Sequence, residues 1–254
     1  MERTSFQRNL IFDIGMHHAL DTRFYLNKGF RVVALEANPA MVSAAMKSLE
    51  QEIASQHLVI LDRALWSSPD ESISFYLNDV KDDWSSVFKS WAEKGNHPSK
   101  EIQVTTTTLN RMFDTFGIPY YVKCDIEGAD EIFVRQLLAD HRRPPFISVE
   151  AISLEILALL FAAGYDRIQL VNQAFNPYVT PPSPAREGVE VPVRFNGHMS
   201  GLFGLELDPA AWLSFTTAAE NYLGFLHLQK RNEKLAHGWL DFHVTSSAFL
   251  KTSL

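Results

Sequence analysis

One cysteine, Cys124, is all the chain carries, so no intrachain disulfide can hold it together. That suits a reducing compartment, and the expected location is the cytoplasm. Long apolar runs are also missing. The longest, ILALLFAAGY at 156–165, is far too short to cross a bilayer, so no membrane partner is expected. Asp13 interrupts the only early apolar run, which leaves no signal-peptide pattern. Basic residues are few, with 23 Lys and Arg against 30 Asp and Glu and a net charge of -7. This argues against nonspecific nucleic-acid binding, which needs clustered positive charge.

Several motifs are absent as well. There is no P-loop, no cysteine cluster and no histidine pair at i, i+4, so no metal is expected. The stretch NGHMSG (196–201) superficially offers a hydrolase serine. Its Gly197 lies three places before Ser200, which fails the G-x-S-x-G elbow.

What is present is 254 residues with 46% hydrophobic content, enough for one large domain over 1–254. NLIFDI (9–14) closes at Gly15 and reads as a buried strand. A short helix from Thr22 to Lys28 stops at Gly29, and RVVALE (31–36) is a second strand. Pro39 opens a helix that continues through MVSAAMKSLEQEIA, and HLVILDRAL (57–65) is a third strand. Strand and helix in alternation predict an α/β fold with a doubly wound, mostly parallel, Rossmann-like sheet. ESISFYLN (71–78) reads as an extra strand, and 79–100 as a polar loop or lid carrying Trp84, Phe88 and Trp91. EIQVTTTTL (101–109) is extended, with a helix after it to Gly117. YYVKCDIEG (120–128) is a core strand running into a turn. Helices at 129–141 and 153–163 alternate with strands at 146–150 and 166–173. The proline-bearing segment 174–204 is expected as a flap, Pro209 to Lys234 as a long helix and WLDFHVTSSAFL as the last strand.

In such a sheet ligands bind at the carboxyl ends of the strands, where Asp13, Glu36, Asp62 and Asp125 fall. Glu36 ends the second strand about 20 residues past the first turn, which suits hydrogen bonds from ribose hydroxyls. The first turn, Gly15-Met16-His17-His18-Ala19, fails G-x-G-x-x-G at its second glycine. It lacks the backbone cradle that a pyrophosphate needs, so a nicotinamide dinucleotide is disfavoured. S-adenosylmethionine carries no phosphate, and a strand-end carboxylate complements its positive groups. In YYVKCDIEG, alternation places Lys123, Asp125 and, if extension persists, Glu127 on one face. Cys124 falls on the other face as a small core residue.

Three stretches carry a resemblance: LIFDIG with DTRFYLNKGFRVVALEANP, then VTTTTLNRMF, then VKCDIEGADEIFVRQL. Together they resemble the FkbM family of S-adenosylmethionine-dependent methyltransferases. The resemblance covers roughly residues 8–150, and its most specific part is K-x-D-x-E-G-x-D. It implies a class I methyltransferase fold with an antiparallel last strand. It also implies S-adenosyl-L-methionine as cofactor and a small-molecule acceptor, a hydroxyl on a sugar or natural-product-like compound. Carried over by position, Asp13 and Gly15 line the methionine part, Glu36 holds the ribose, and Asp62 and Ala64 lie by the adenine. Met16 and Ala37 join these cofactor contacts. Asp125 and Glu127 face methyl transfer, with Asp125 also touching cofactor. Lys123 and His18 are further catalytic candidates, and His198 in the flap is placed to reach the acceptor. Family members usually carry glycine where Ala19 stands, which a negative φ would make harmless. The rival reading is a non-catalytic nucleoside-binding or partner protein on the same fold.

Overall fold

The structure, a computed structural model, describes residues 5–253. Its strands are β1 (Gln7–Ile14), β2 (Arg31–Glu36), β3 (Leu58–Asp62), β4 (Ala64–Leu65), β5 (Ser72–Asn78), β6 (Ser99–Thr107), β7 (Pro119–Cys124), β8 (Phe146–Glu150), β9 (Arg167–Asn172) and β10 (Leu240–Thr245). Seven form one sheet in the order β3-β2-β1-β7-β8-β10-β9. β10 runs antiparallel to both of its neighbours, and the pairs among β3, β2, β1, β7 and β8 are parallel. The first three strands step outward from β1 one way and β7 onward the other way. The switch point therefore lies between β1 and β7, where an open α/β sheet leaves a crevice for ligands.

The strands read as continuous apolar runs because both faces are covered. Leu10, Phe12 and Ile14 of β1 pack with Val122 of β7, Val149 of β8 and Phe133, Leu157 and Tyr222 from the helices on that side. Ile11 and Tyr121 face the other way, against Phe24 and Tyr25 of the helix Leu20–Asn27 and against Phe195 and Phe203. The last two belong to the segment expected as a flap. Only its end is a packed wall, with Phe195 and Phe203 at most 1% exposed, while none of residues 177–194 is buried. Burying each stabilises the wall by about 1.5–3 kcal/mol. A buried ion pair, Lys28 Nζ to Glu206 Oε1 at 2.6 Å, ties the chain just beyond it to the first helix.

A second sheet, β4-β6-β5, carries the site's other wall. β5 and β6 pair antiparallel from Ser72↔Thr105 to Asn78↔Ser99, so residues 79–98 are an excursion from a hairpin. Asn78 sets its base. Its Oδ1 accepts the N–H of Val80 at 2.8 Å and of Lys81 at 2.7 Å, and its Nδ2 donates to the Ala92 carbonyl at 2.7 Å. An Asn that bonds the backbone two and three residues on substitutes for a turn.

Four sequence expectations change. The run 57–65 is two strands in two sheets, because the chain turns at Arg63, whose N–H bonds the Glu36 and Leu61 carbonyls. The second helix breaks at Leu49 into Pro39–Ser48 and Glu50–Ala54. The late helix begins at Phe215, where Ser214 caps it by accepting the Thr217 N–H, and not at Pro209. The last strand stops at Thr245, and Ser247–Ser253 is helical. Among the described residues no helix is long and apolar enough to cross a membrane.

Candidate active site

A cavity of about 420 Å3 opens over the carboxyl ends of β1, β2, β7 and β8. This is within the roughly 300–1,000 Å3 that holds a drug-sized ligand. Its floor is the turn after β1. Gly15 takes φ 85, and a β-carbon there would sit 1.8 Å from the Asp125 carbonyl oxygen. Glycine is needed so that the β1 turn can pass the β7 turn; the close approach is between two stretches of backbone.

Glu36 lines the cavity at 8% exposure. Its Oε2 accepts the His17 N–H and its Oε1 the Asn38 N–H, both at 2.7 Å. Burial pushes its pKa up, and those two N–H groups pull against that shift. Each oxygen keeps lone-pair capacity toward the cavity, which fits the paired hydroxyls of a ribose. Met16, Ala37 and Ala64 line the same end.

Asp13 and Asp62 do not line it. Asp13 is fully buried beneath the turn, where its Oδ2 accepts the Thr22 hydroxyl at 2.5 Å and its Oδ1 lies 3.5 Å from Lys123 Nζ. It holds Lys123 in place of a ligand. Asp62 is exposed on the outermost strand of the large sheet, and the turn at Arg63 carries Arg63 and Ala64 to the cavity instead.

Lys123 is 4% exposed and donates to the Gly15 carbonyl at 2.6 Å, with Asp125 Oδ2 at 3.6 Å. Burial works against its charge, but the carboxylates of Asp13, Asp125 and Asp21 outweigh burial and hold its pKa above the ordinary value. It stays an ammonium and pins β1 to β7; it offers no lone pair for taking a proton.

The other end of the cavity is acidic. Asp125, its side chain 47% exposed, faces it together with Glu127, Glu150 and Asp241. Extension does not persist past Cys124. Glu127 takes φ 50 and Gly128 φ 86, so Glu127 arrives through a tight turn, not along the strand face. There its Oε2 accepts the Trp91 indole N–H at 2.7 Å, and its carbonyl accepts the Ser86 hydroxyl at 2.7 Å. Both donors come from the 79–98 excursion, which is thereby docked on this turn. Lys94 lies over the Trp91 ring, 3.3 Å from its centroid. Trp84 lines the cavity, while Trp91 and Phe88 do not.

Glu150 and Asp241 escaped the sequence reading. They are cross-strand partners on β8 and β10. Because β10 is antiparallel, its first residues arrive where the parallel strands end. Burial, and then the charges of Asp125 and Asp130, push the Glu150 pKa up to about 8. Its Oε2 is shielded from solvent and accepts no hydrogen bond among the described residues. Burial, followed by Asp125 and Glu150, raises Glu127 to about 8 and holds Asp241 well above the carboxylate range. The signal for Glu150 was present, since FISVE ends in an acid at a strand's carboxyl end. Asp241 needed the strand direction.

Asp21 anchors the third wall. Its carboxylate accepts the Ser200 N–H at 3.0 Å and the Ser200 hydroxyl at 2.9 Å, which holds 197–200 at the rim. Ser200 is therefore structural. His198 beside it lines the cavity and is exposed. His18 lines the rim too. Ala19 takes φ 58, so the left-handed conformation that suits glycine is held by alanine. Its methyl is buried away from the cavity and does not crowd a ligand.

The family model described as the methyltransferase FkbM domain matches residues 13–166, more than half of the chain. The chain belongs to that family. No curated protein matches it. Among solved structures it is similar to a methyltransferase FkbM from Methylobacillus flagellatus KT, with 14% identity and TM-score 0.39. That match covers 60% of this chain and 37% of the other, so the chain spans well under two thirds of it. It is also similar to a precorrin-6Y C5,15-methyltransferase from Geobacter metallireducens GS-15, with 14% identity and TM-score 0.39, over 66% of this chain and 69% of that one. A third similar structure is the 4+2 cyclase SpnF, with 8% identity and TM-score 0.40, over 95% of this chain and 76% of that one. The turn after β1 and the strands β2, β7 and β8 with their turns fall inside the matched residues, whereas most of β1 precedes them. The wall at 197–200 and Asp241 fall outside them.

Proposed function

We propose that the protein transfers a methyl group from S-adenosylmethionine to a hydroxyl of a sugar or small natural-product-like acceptor. The observation that carries this reading is Glu36. It is a buried carboxylate at the end of β2, held by two backbone N–H groups, with lone pairs left for a diol. Gly15 and Met16 would flank the methionine part and Ala37, Arg63 and Ala64 the adenine, all of them lining one cavity. The cofactor, when bound, supplies an electrophilic methyl group.

The chain's own residues do the rest. Lys123 fixes the turn after β1 against the turn after β7, so both ends of the cavity keep one spacing. Asp125 accepts a hydrogen bond from the acceptor and orients it. Glu150, with an oxygen free of partners and a pKa near 8, takes the hydroxyl proton as the methyl is transferred. The wall anchored by Asp21 and the docked 79–98 excursion exclude water.

Calorimetry of the folded protein with S-adenosylhomocysteine tests the reading. Micromolar-range binding in the wild type, lost in Glu36→Ala, is expected. No binding in the wild type sinks it. Binding with no turnover on any hydroxyl acceptor would favour a nucleoside-binding protein on this fold.

A further inference from the structure

Consecutive residues ordinarily point their side chains apart. His17 and His18 do not, because His17 takes φ 51 and brings both rings to one side with centroids 4.0 Å apart. Strain of this kind at a non-glycine residue collects at functional positions. Across from the rings lies Asp82, in the short turn Asp82–Trp84 of the 79–98 excursion. Its Oδ1 is 3.3 Å from His17 Nε2 and its Oδ2 is 3.0 Å from His18 Nε2.

The geometry points to a divalent transition-metal site at the mouth of the cavity, with His17, His18 and Asp82 as its three protein ligands. The donor atoms all lie within 4.8 Å of one another. Two ligands each about 2.0–2.1 Å from a tetrahedral ion sit roughly 3.3 Å apart, so the two histidine-to-Asp82 spacings need little adjustment. His17 Nε2 is shielded from solvent, and its contact across the gap is Asp82 Oδ1, so it is turned toward the other donors. Two imidazoles and one carboxylate suit Zn2+, Ni2+ or Cu2+, whereas Mg2+ and Ca2+ prefer all-oxygen sets. With His18 and Asp82 about half exposed, the remaining coordination position is open. The ion would clasp the excursion to the turn after β1. The His17 N–H bonds Glu36, so an ion here bears on the nucleoside end of the cavity as well. That link rests on the proposed function; the metal site does not.

The test is a calorimetric titration of the full chain with Zn2+, and in parallel with Mg2+, with no cofactor present. The expected result is one equivalent of Zn2+ bound far more tightly than Mg2+. His18→Ala and Asp82→Asn should each weaken Zn2+ by at least the ~10–100-fold that even outer-shell changes cost. His141→Ala, at an exposed histidine, should change nothing. Both ligand variants alter half-exposed side chains, and thermal melts confirm that they fold. No saturable one-to-one Zn2+ binding, equal affinity for Mg2+, or wild-type affinity in both variants would overturn the site. Because cofactor is absent, these results are separate from any failure to bind S-adenosylhomocysteine.

Discussion

The two ends of the cavity solve opposite electrostatic problems. At the β2 end a single carboxylate, Glu36, is buried with backbone N–H groups on both oxygens. At the other end Asp125, Glu127, Glu150 and Asp241 crowd together, and burial with mutual repulsion raises three of them. The first end is built to hold a charge in place. The second sets several carboxyl groups against one another. The difference shows where this fold spends its stability, since like charges facing each other across strands are unfavourable.

The comparison breaks most visibly at Glu150. Glu150→Gln should lower kcat by about 10²–10⁴-fold while leaving S-adenosylhomocysteine affinity near wild type, as measured by steady-state assay and calorimetry. Wild-type kcat should rise with pH up to about 8, because the base must be deprotonated, and this rise should vanish in the variant. A variant that keeps both kcat and the pH limb would move the proton acceptor elsewhere in the cluster. At the other end, Glu36→Ala removes two charge-assisted hydrogen bonds to a ribose, each worth about 1.5–3 kcal/mol, so affinity should fall by roughly 100-fold or more. Glu36→Gln, which retains the shape, should fall less.

Stability against pH sharpens the contrast. Glu127 and Glu150 near 8, and Asp130 and Glu187 near 7, bind protons more tightly folded than unfolded. Their contribution is complete below the ordinary carboxylate pKa and is lost as pH rises through the folded values. The melting temperature should therefore decline from about pH 5 toward pH 8, and Glu150→Gln should flatten that decline. A melting temperature that climbs over this window would contradict the account. The smallest effect is expected at the turn itself. Ala19→Gly relieves a left-handed alanine, worth about 1–2 kcal/mol, but loses a buried methyl worth roughly 0.8 kcal/mol. A net gain of about 0.5 kcal/mol in urea unfolding should result, and a clear loss would mean that the methyl matters more than the backbone.

What the sequence made legible follows the same division. β2 matched its expected limits, because a short apolar run closed by a turn is local information. Glu36 falls at the cavity as its place in the sequence implied, because that place depends only on the strand it ends. Asp62 was misplaced because the backbone bonds at Arg63, which turn the chain away, join residues of two different strands. Asp13 was read as facing a ligand and instead faces Lys123, which itself lines the cavity, because adjacent strands bring the two into register. Asp82 lies 65 positions from His17, and no local spacing rule relates them. Asp241 required knowing that the last strand enters the sheet reversed.

That reversal sets the size of the working unit. A fragment ending at residue 166, where the family match ends, would keep β1, β2, β7 and β8. It would lose Ser200, Asp241 and the two strands that complete the sheet. Such a fragment would keep Glu36 and leave Glu150 without its cross-strand partner. Recognisable ancestry and a complete cavity wall thus have different lengths in this chain.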